Sequence, residues 1–162
     1  MKYKIVDNFL PKNVFDPIKK IMMAEDFPWF FNSGISFSNQ TKKDFYFTHN
    51  FYNINRIWST YYDSVISPIL EHMKIKSLIR VKGNLHVHRN KFEENLPHID
   101  YNFKHNGALF YINTCNGYTK LFDNTKVNCV ENRMLFFDPT KEHSSTNVTD
   151  DLRRVNININ YF

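Results

Sequence analysis

His98-Ile99-Asp100, with His143 further along and Arg154 beyond it, offers two imidazoles, a carboxylate and a guanidinium in one half of the chain. Two histidines and one carboxylate are the protein ligands of the facial triad that holds non-haem ferrous iron and leaves coordination positions open. Residues two apart on a strand share a face, so His98 and Asp100 can present their ligand atoms side by side. The third ligand must come from elsewhere. His143 follows the strand-like run Arg133-Met134-Leu135-Phe136-Phe137, and a neighbouring strand could carry it to the other two. The tripeptide alone is a weak signal; the ordered set is stronger. Zinc competes for such ligands but has no accessible redox change.

These residues need a β framework. From residue 77 the texture is of short extended segments, at 78–88, 107–113, 118–122, 126–130, 133–137 and 154–162, separated by polar turns, which predicts a sandwich or barrel. Asn116-Gly117 reads as a good hairpin turn and Asp123-Asn124 as a weaker one. In the last segment Val155, Ile157 and Ile159 alternate with Asn156, Asn158 and Asn160, and Arg154 shares the asparagine face. One side can pack on helices while the other is solvated at an edge or lines a cavity. Upstream, 3–10 reads as a strand, Pro11 opens a helix marked by Val14, Ile18, Ile21 and Met22, and 54–73 reads as a second helix interrupted at Pro68, with Trp58 and Tyr61 as core. The fold class is mainly β with supporting helices: one domain over 1–162, in which 1–76 supplies helical support and first strands and 77–162 the metal-binding core.

Composition narrows the function classes. Sixteen Phe and nine Tyr against four Gly and six Pro describe a packed chain rather than a disordered one. The net charge of +5 is spread along the sequence, including Lys42-Lys43 and Arg153-Arg154, and favours a solvated basic surface over a nucleic-acid groove. Cys115 and Cys129 lack the close spacing of a redox or zinc pair and fit reduced thiols in a cytoplasm. Neither a secretory leader nor an apolar run of membrane-spanning length is visible.

Residues 84–162 resemble the 2-oxoglutarate- and Fe(II)-dependent dioxygenases, in their prolyl-hydroxylase-like branch. The resemblance rests on HID at 98–100, FYIN at 110–113, NGYTKLF at 116–122, NRMLFFDP at 132–139, the later His143, and RRVNININYF at 153–162. It implies a double-stranded β-helix, the cupin-like jelly-roll, with iron held between two sheets by His98, Asp100 and His143. Arg154 matches the basic residue that pairs with the far carboxylate of 2-oxoglutarate, with Arg153 the substitute should a bulge shift the register. Tyr111 matches a phenol that bonds the same carboxylate, or is a core aromatic.

The sequence departs from that pattern where relatives carry a tyrosine ten residues before the first iron ligand. Asn84, His86 and His88 share a face there, and His88 stands at the ten-residue spacing, either as a 2-oxoglutarate or substrate ligand or as a hydrated polar residue. The charged run 89–97 reads as a lid or a plain solvated loop, and 34–48 as a second rim. The implied reaction hydroxylates an unactivated C–H bond with dioxygen, converting 2-oxoglutarate to succinate and carbon dioxide. The substrate implied is a peptidyl residue such as proline, or a free amino acid; nucleobase oxidation, a non-catalytic jelly-roll binding module and a zinc hydrolase rank behind it.

Overall fold

A computed structural model describes residues 3–34 and 45–162. Its main sheet takes β1 (Tyr3–Val6), β2 (Phe30–Asn32), β3 (Tyr46–Asn53), β4 (Arg56–Ile57), β5 (Leu78–Val87), β6 (Asn106–Tyr111), β9 (Arg133–Phe137) and β11 (Arg153–Tyr161). The order is β1-β9-β6-β11-β5-β3-β2, with β4 hanging on β3, and every pairing is antiparallel. A smaller sheet has the order β10-β7-β8, from β7 (Tyr118–Leu121), β8 (Lys126–Asn128) and β10 (His143–Ser145). Two facing antiparallel sheets make the expected double-stranded β-helix. The N-terminal half is woven in, because β1 pairs with β9 and β3 with β5.

Strand alternation divides the interior in two. Val155, Ile157 and Ile159 of β11 join Val81, Ala108, Phe110 and Met134 on one face, under helix α1 (Lys12–Met22), which buries Phe15, Ile18 and Met22. The opposite face turns Leu109, Tyr111, Leu135 and Phe137 toward Leu121 and Val127 of the small sheet. With both faces of β11 covered, its asparagines are buried rather than solvated at an edge.

The expected long helix over 54–73 is not formed. Ile54 and Asn55, both at positive φ (51° and 55°), make the two-residue turn between Asn53 and Arg56, a geometry matched to the twist of an antiparallel hairpin. Ile57 and Trp58 are consequently exposed, not core. Only Tyr62–Ile66, a π-helical turn, and α2 (Ser67–Leu70), with Pro68 in its first turn, are helical there. The two turns also exchange strengths. Asp123-Asn124, with Asn124 at φ 66°, closes the β7–β8 hairpin, while Asn116-Gly117 joins strands of different sheets. No described helix is long and apolar enough to cross a membrane.

Candidate metal centre

His98 does not sit on a regular strand. It forms an isolated bridge with His143 in which each backbone N–H donates to the other's carbonyl at 2.9 Å, so first and third ligands are joined directly through the main chain. Their rings lie 4.6 Å apart between centroids. The Asp100 N–H donates to the Pro139 carbonyl at 3.0 Å, turning its side chain back toward the pair. One ligand atom from each of His98, Asp100 and His143 lies within 4.8 Å of the other two. The triad is thus assembled from two short segments pinned to each other, by a route different from strand alternation.

The charge states suit a divalent cation. Burial, then the neighbouring His143, pushes His98 down to about 4, so its imidazole is neutral near pH 7 and free to ligate. Burial alone would raise Asp100, but His143, Arg80 and the amides of Asn160 and Asn158 outweigh it and hold the carboxylate down at about 2. Arg80 Nη2 donates to Asp100 Oδ1 at 3.1 Å, while Asn160 and Asn158 donate to Oδ2 at 2.9 and 3.2 Å. Asn160 also accepts from Arg80 at 3.0 Å, closing a small network. His143 turns Nδ1 to the Lys141 carbonyl at 3.0 Å, leaving Nε2 for a metal. An ionised carboxylate, the neutral His98 imidazole, a His143 ring held by its Nδ1 and fixed outer partners fit Fe(II) or a similar ion.

The triad opens on a cavity between the sheets, walled by β5 and β11 on one side and by Thr119, Ser144 and Ser145 on the other. Arg154 lies inside it, fully buried, in register with His86 of β5. Its guanidinium donates from Nη2 to Thr119 Oγ1 at 3.0 Å and from Nη1 to the Thr146 carbonyl at 3.4 Å; Nε has no partner among the described residues. Among the described residues no carboxylate forms an ion pair with it. Arg153, on the opposite face, donates to the Met23 carbonyl at 2.6 Å, and the β11 register shifts only at Asn160/Tyr161, beyond both arginines.

The remaining sequence candidates separate. The Tyr111 hydroxyl donates to Thr119 Oγ1 at 2.8 Å from the apolar core behind the cavity, so Thr119 links the phenol to Arg154. Burial raises that phenol to about 12. His88 is exposed, bonds the Asp151 carbonyl at 3.0 Å and lies outside the cavity. Two residues earlier, His86 lines it: burial first, then the charges of Arg154 and Lys82, lower it well below the ordinary histidine value, and Tyr46 stacks on its ring at 5.5 Å. Spacing along the chain pointed to His88 because the path taken by 89–97 cannot be counted in advance.

Residues 89–97 are tied down rather than free. Asn95 N–H donates to the Ser145 carbonyl at 2.8 Å, and Glu94 accepts from Tyr118, Lys120 and Ser144 at 3.0, 3.0 and 3.1 Å. The second rim at 34–48 falls mostly outside the described residues. Sequence reading missed Thr119, Lys82 and Tyr46, whose residue types carry no metal signal. Cys115 and Cys129, distant in sequence, are buried neighbours whose backbones bond at 3.2 Å.

Solved structures share this architecture. A viral collagen prolyl hydroxylase from Paramecium bursaria chlorella virus 1, solved with 2-oxoglutarate, superposes with a TM-score of 0.61 at 14% identity, covering 99% of this chain and 94% of that one. A prolyl hydroxylase from Trichoplax adhaerens, in complex with a hypoxia-inducible-factor peptide, gives 0.62 at 15% identity, over 99% and 83%. An α-ketoglutarate-dependent epimerase from nogalamycin biosynthesis gives 0.65 at 11%, over 99% and 77%. The fold is that of the 2-oxoglutarate-dependent oxygenases. No protein-family model matches the sequence, and no curated protein matches it.

Proposed function

We propose that the protein is an Fe(II)- and 2-oxoglutarate-dependent dioxygenase that hydroxylates an unactivated C–H bond of a peptidyl residue such as proline. One observation carries this reading: on an oxygenase fold, a His-Asp-His triad and a fully buried arginine with no ion-pair partner among the described residues share a single cavity. His98, Asp100 and His143 would hold the iron. Arg154 would take the far carboxylate of 2-oxoglutarate through a charge-assisted pair, with Thr119 fixing the guanidinium and Tyr111 fixing Thr119. Iron and 2-oxoglutarate supply the oxidising power, one atom of dioxygen ending in succinate and the other in the hydroxylated product, with release of carbon dioxide. The protein's contribution is to hold Asp100 ionised and to keep His98 and His86 neutral.

A single catalytic domain is supported by the β1–β9 pairing, which ties the N-terminus into the core, and a reducing cytoplasm by the two buried free thiols. A second substrate reading, a free amino acid, is favoured by an ammonium in the cavity wall that has no acidic partner among the described residues, that of Lys82. The test is incubation with Fe(II), 2-oxoglutarate and candidate peptides or host lysate under air. Succinate release with gain of one oxygen atom by a substrate is expected, and absence of 2-oxoglutarate binding to iron-loaded protein would refute the assignment.

A further inference from the structure

The cavity has two polar ends. Along β5 and β11, His86 pairs with Arg154 and Lys82 pairs with Asn158. Four residues of strand, about 13 Å at the usual rise, separate these rungs. The Asn158 rung is the one at the triad, because Asn158 holds Asp100, and Lys82 is near enough for its charge to bear on His98. A co-substrate whose far carboxylate sits on Arg154 leaves the Lys82 rung for something else.

Two polar groups on that rung are incompletely partnered among the described residues. Lys82 Nζ donates to the Tyr46 hydroxyl at 3.0 Å and lies 5.3 Å from that ring's centroid, yet it has no acidic partner among the described residues. An ammonium carries three donors, and a single phenol oxygen does not use them all. Opposite it, Asn158 must turn its NH2 to Asp100, since an ionised carboxylate only accepts. Its Oδ1 is left buried and without a partner among the described residues. Burying an acceptor without a donor is unfavourable, and a ligand N–H would relieve it.

A cation and an unpaired carbonyl oxygen on one rung, beside the candidate metal ligands, match a carboxylate and an N–H on one small molecule. Resting on the dioxygenase reading, we propose that Lys82 and Asn158 form the primary-substrate subsite and that the substrate is an amino acid with a free carboxylate. Lys82 pairs with that carboxylate, Asn158 Oδ1 accepts from the α-nitrogen, and Tyr46 braces the ammonium. A single ammonium suits a monoanion better than a phosphate dianion. The subsite narrows the peptidyl reading to the last residue of a peptide, because an internal residue's carboxylate is consumed in the amide bond, and it also admits a free amino acid.

The zinc-substituted protein, saturated with 2-oxoglutarate, tests this by calorimetry. The probes are the common amino acids, their C-terminal amides and their N-acetyl derivatives. At least one free acid should bind tenfold or more tightly than its amide; an N-acetyl acid that keeps affinity marks a peptide C-terminus, and one that loses it marks a free amino acid. Lys82→Met should erase the acid-over-amide preference while 2-oxoglutarate affinity stays within threefold, and Lys82→Arg should restore part of it. The proposal is overturned if no free acid binds the zinc- and 2-oxoglutarate-loaded protein, or if Lys82→Met weakens 2-oxoglutarate as much as Arg154→Ala does. Failure of zinc and 2-oxoglutarate themselves to bind would instead bring down the dioxygenase reading.

Discussion

Gly117 gives the sharpest handle on Arg154. It does not have positive φ, so a turn conformation does not explain it. A Cβ at this position would lie 2.5 Å from Arg154 Cδ, 3.0 Å from Nε and 3.1 Å from the Asn147 carbonyl oxygen. Cδ belongs to the buried stem rather than to a free end, so Gly117→Ala must displace the guanidinium from Thr119 and Thr146. Overpacking of this kind costs about 1–3 kcal/mol of stability. A hydrogen bond to a charged group contributes about 1.5–3 kcal/mol, so losing the arginine–carboxylate pair should raise the Kd for 2-oxoglutarate roughly 10- to 150-fold. Calorimetry of zinc-loaded wild type, Gly117→Ala and Arg154→Ala separates the effects, because the triad is untouched and zinc affinity should stay within a few-fold. Unchanged 2-oxoglutarate affinity in a folded Gly117→Ala protein would refute the role given to Arg154.

Asn160→Leu removes a donor to Asp100 and an acceptor from Arg80, and should weaken metal binding by about 10- to 100-fold in a competition titration. Tyr111→Phe should cost about 1 kcal/mol in urea denaturation, with 2-oxoglutarate affinity falling much less than in Arg154→Ala, because Thr119 keeps its bond to the guanidinium. Acid should erode the metal-free protein in two windows. His98, lowered to about 4, gives stability that is full above its unfolded value of about 6.5 and lost as pH falls toward 4. Asp100, lowered to about 2, gives stability that is full above its unfolded value of about 3.9 and lost as pH falls toward 2. Thermal midpoints should therefore drop between pH 6.5 and 4, less steeply in His98→Gln; a flat profile in wild type would contradict the buried neutral imidazole.

Much of the β core was legible because β11 writes its two environments in strict alternation, and 133–137 emerges as the very strand expected. The 54–73 helix failed for a definable reason: apolar residues three and four apart arose from a hairpin turn followed by a π turn, and the left-handed Ile54 defeats residue-type expectation. β3 was missed because its polar residues are also buried, Thr48 and His49 included, so no clean alternation survives. At the site, the residue types of the triad were readable, but its assembly was not. A single antiparallel bridge, His98 to His143, replaces the regular strand, and such a bridge leaves no periodic trace. The exchange of His88 for His86 in the cavity, and the meeting of Thr119 with Arg154, depend on how the two sheets face each other.

The most direct test of the central claim is an anaerobic Fe(II) titration followed by 2-oxoglutarate, on wild type and Asp100→Ala. One iron per chain and one 2-oxoglutarate bound only after the metal are predicted for wild type, with neither retained in Asp100→Ala. Equal iron affinity in the two proteins, or 2-oxoglutarate binding indifferent to metal, would contradict the assignment.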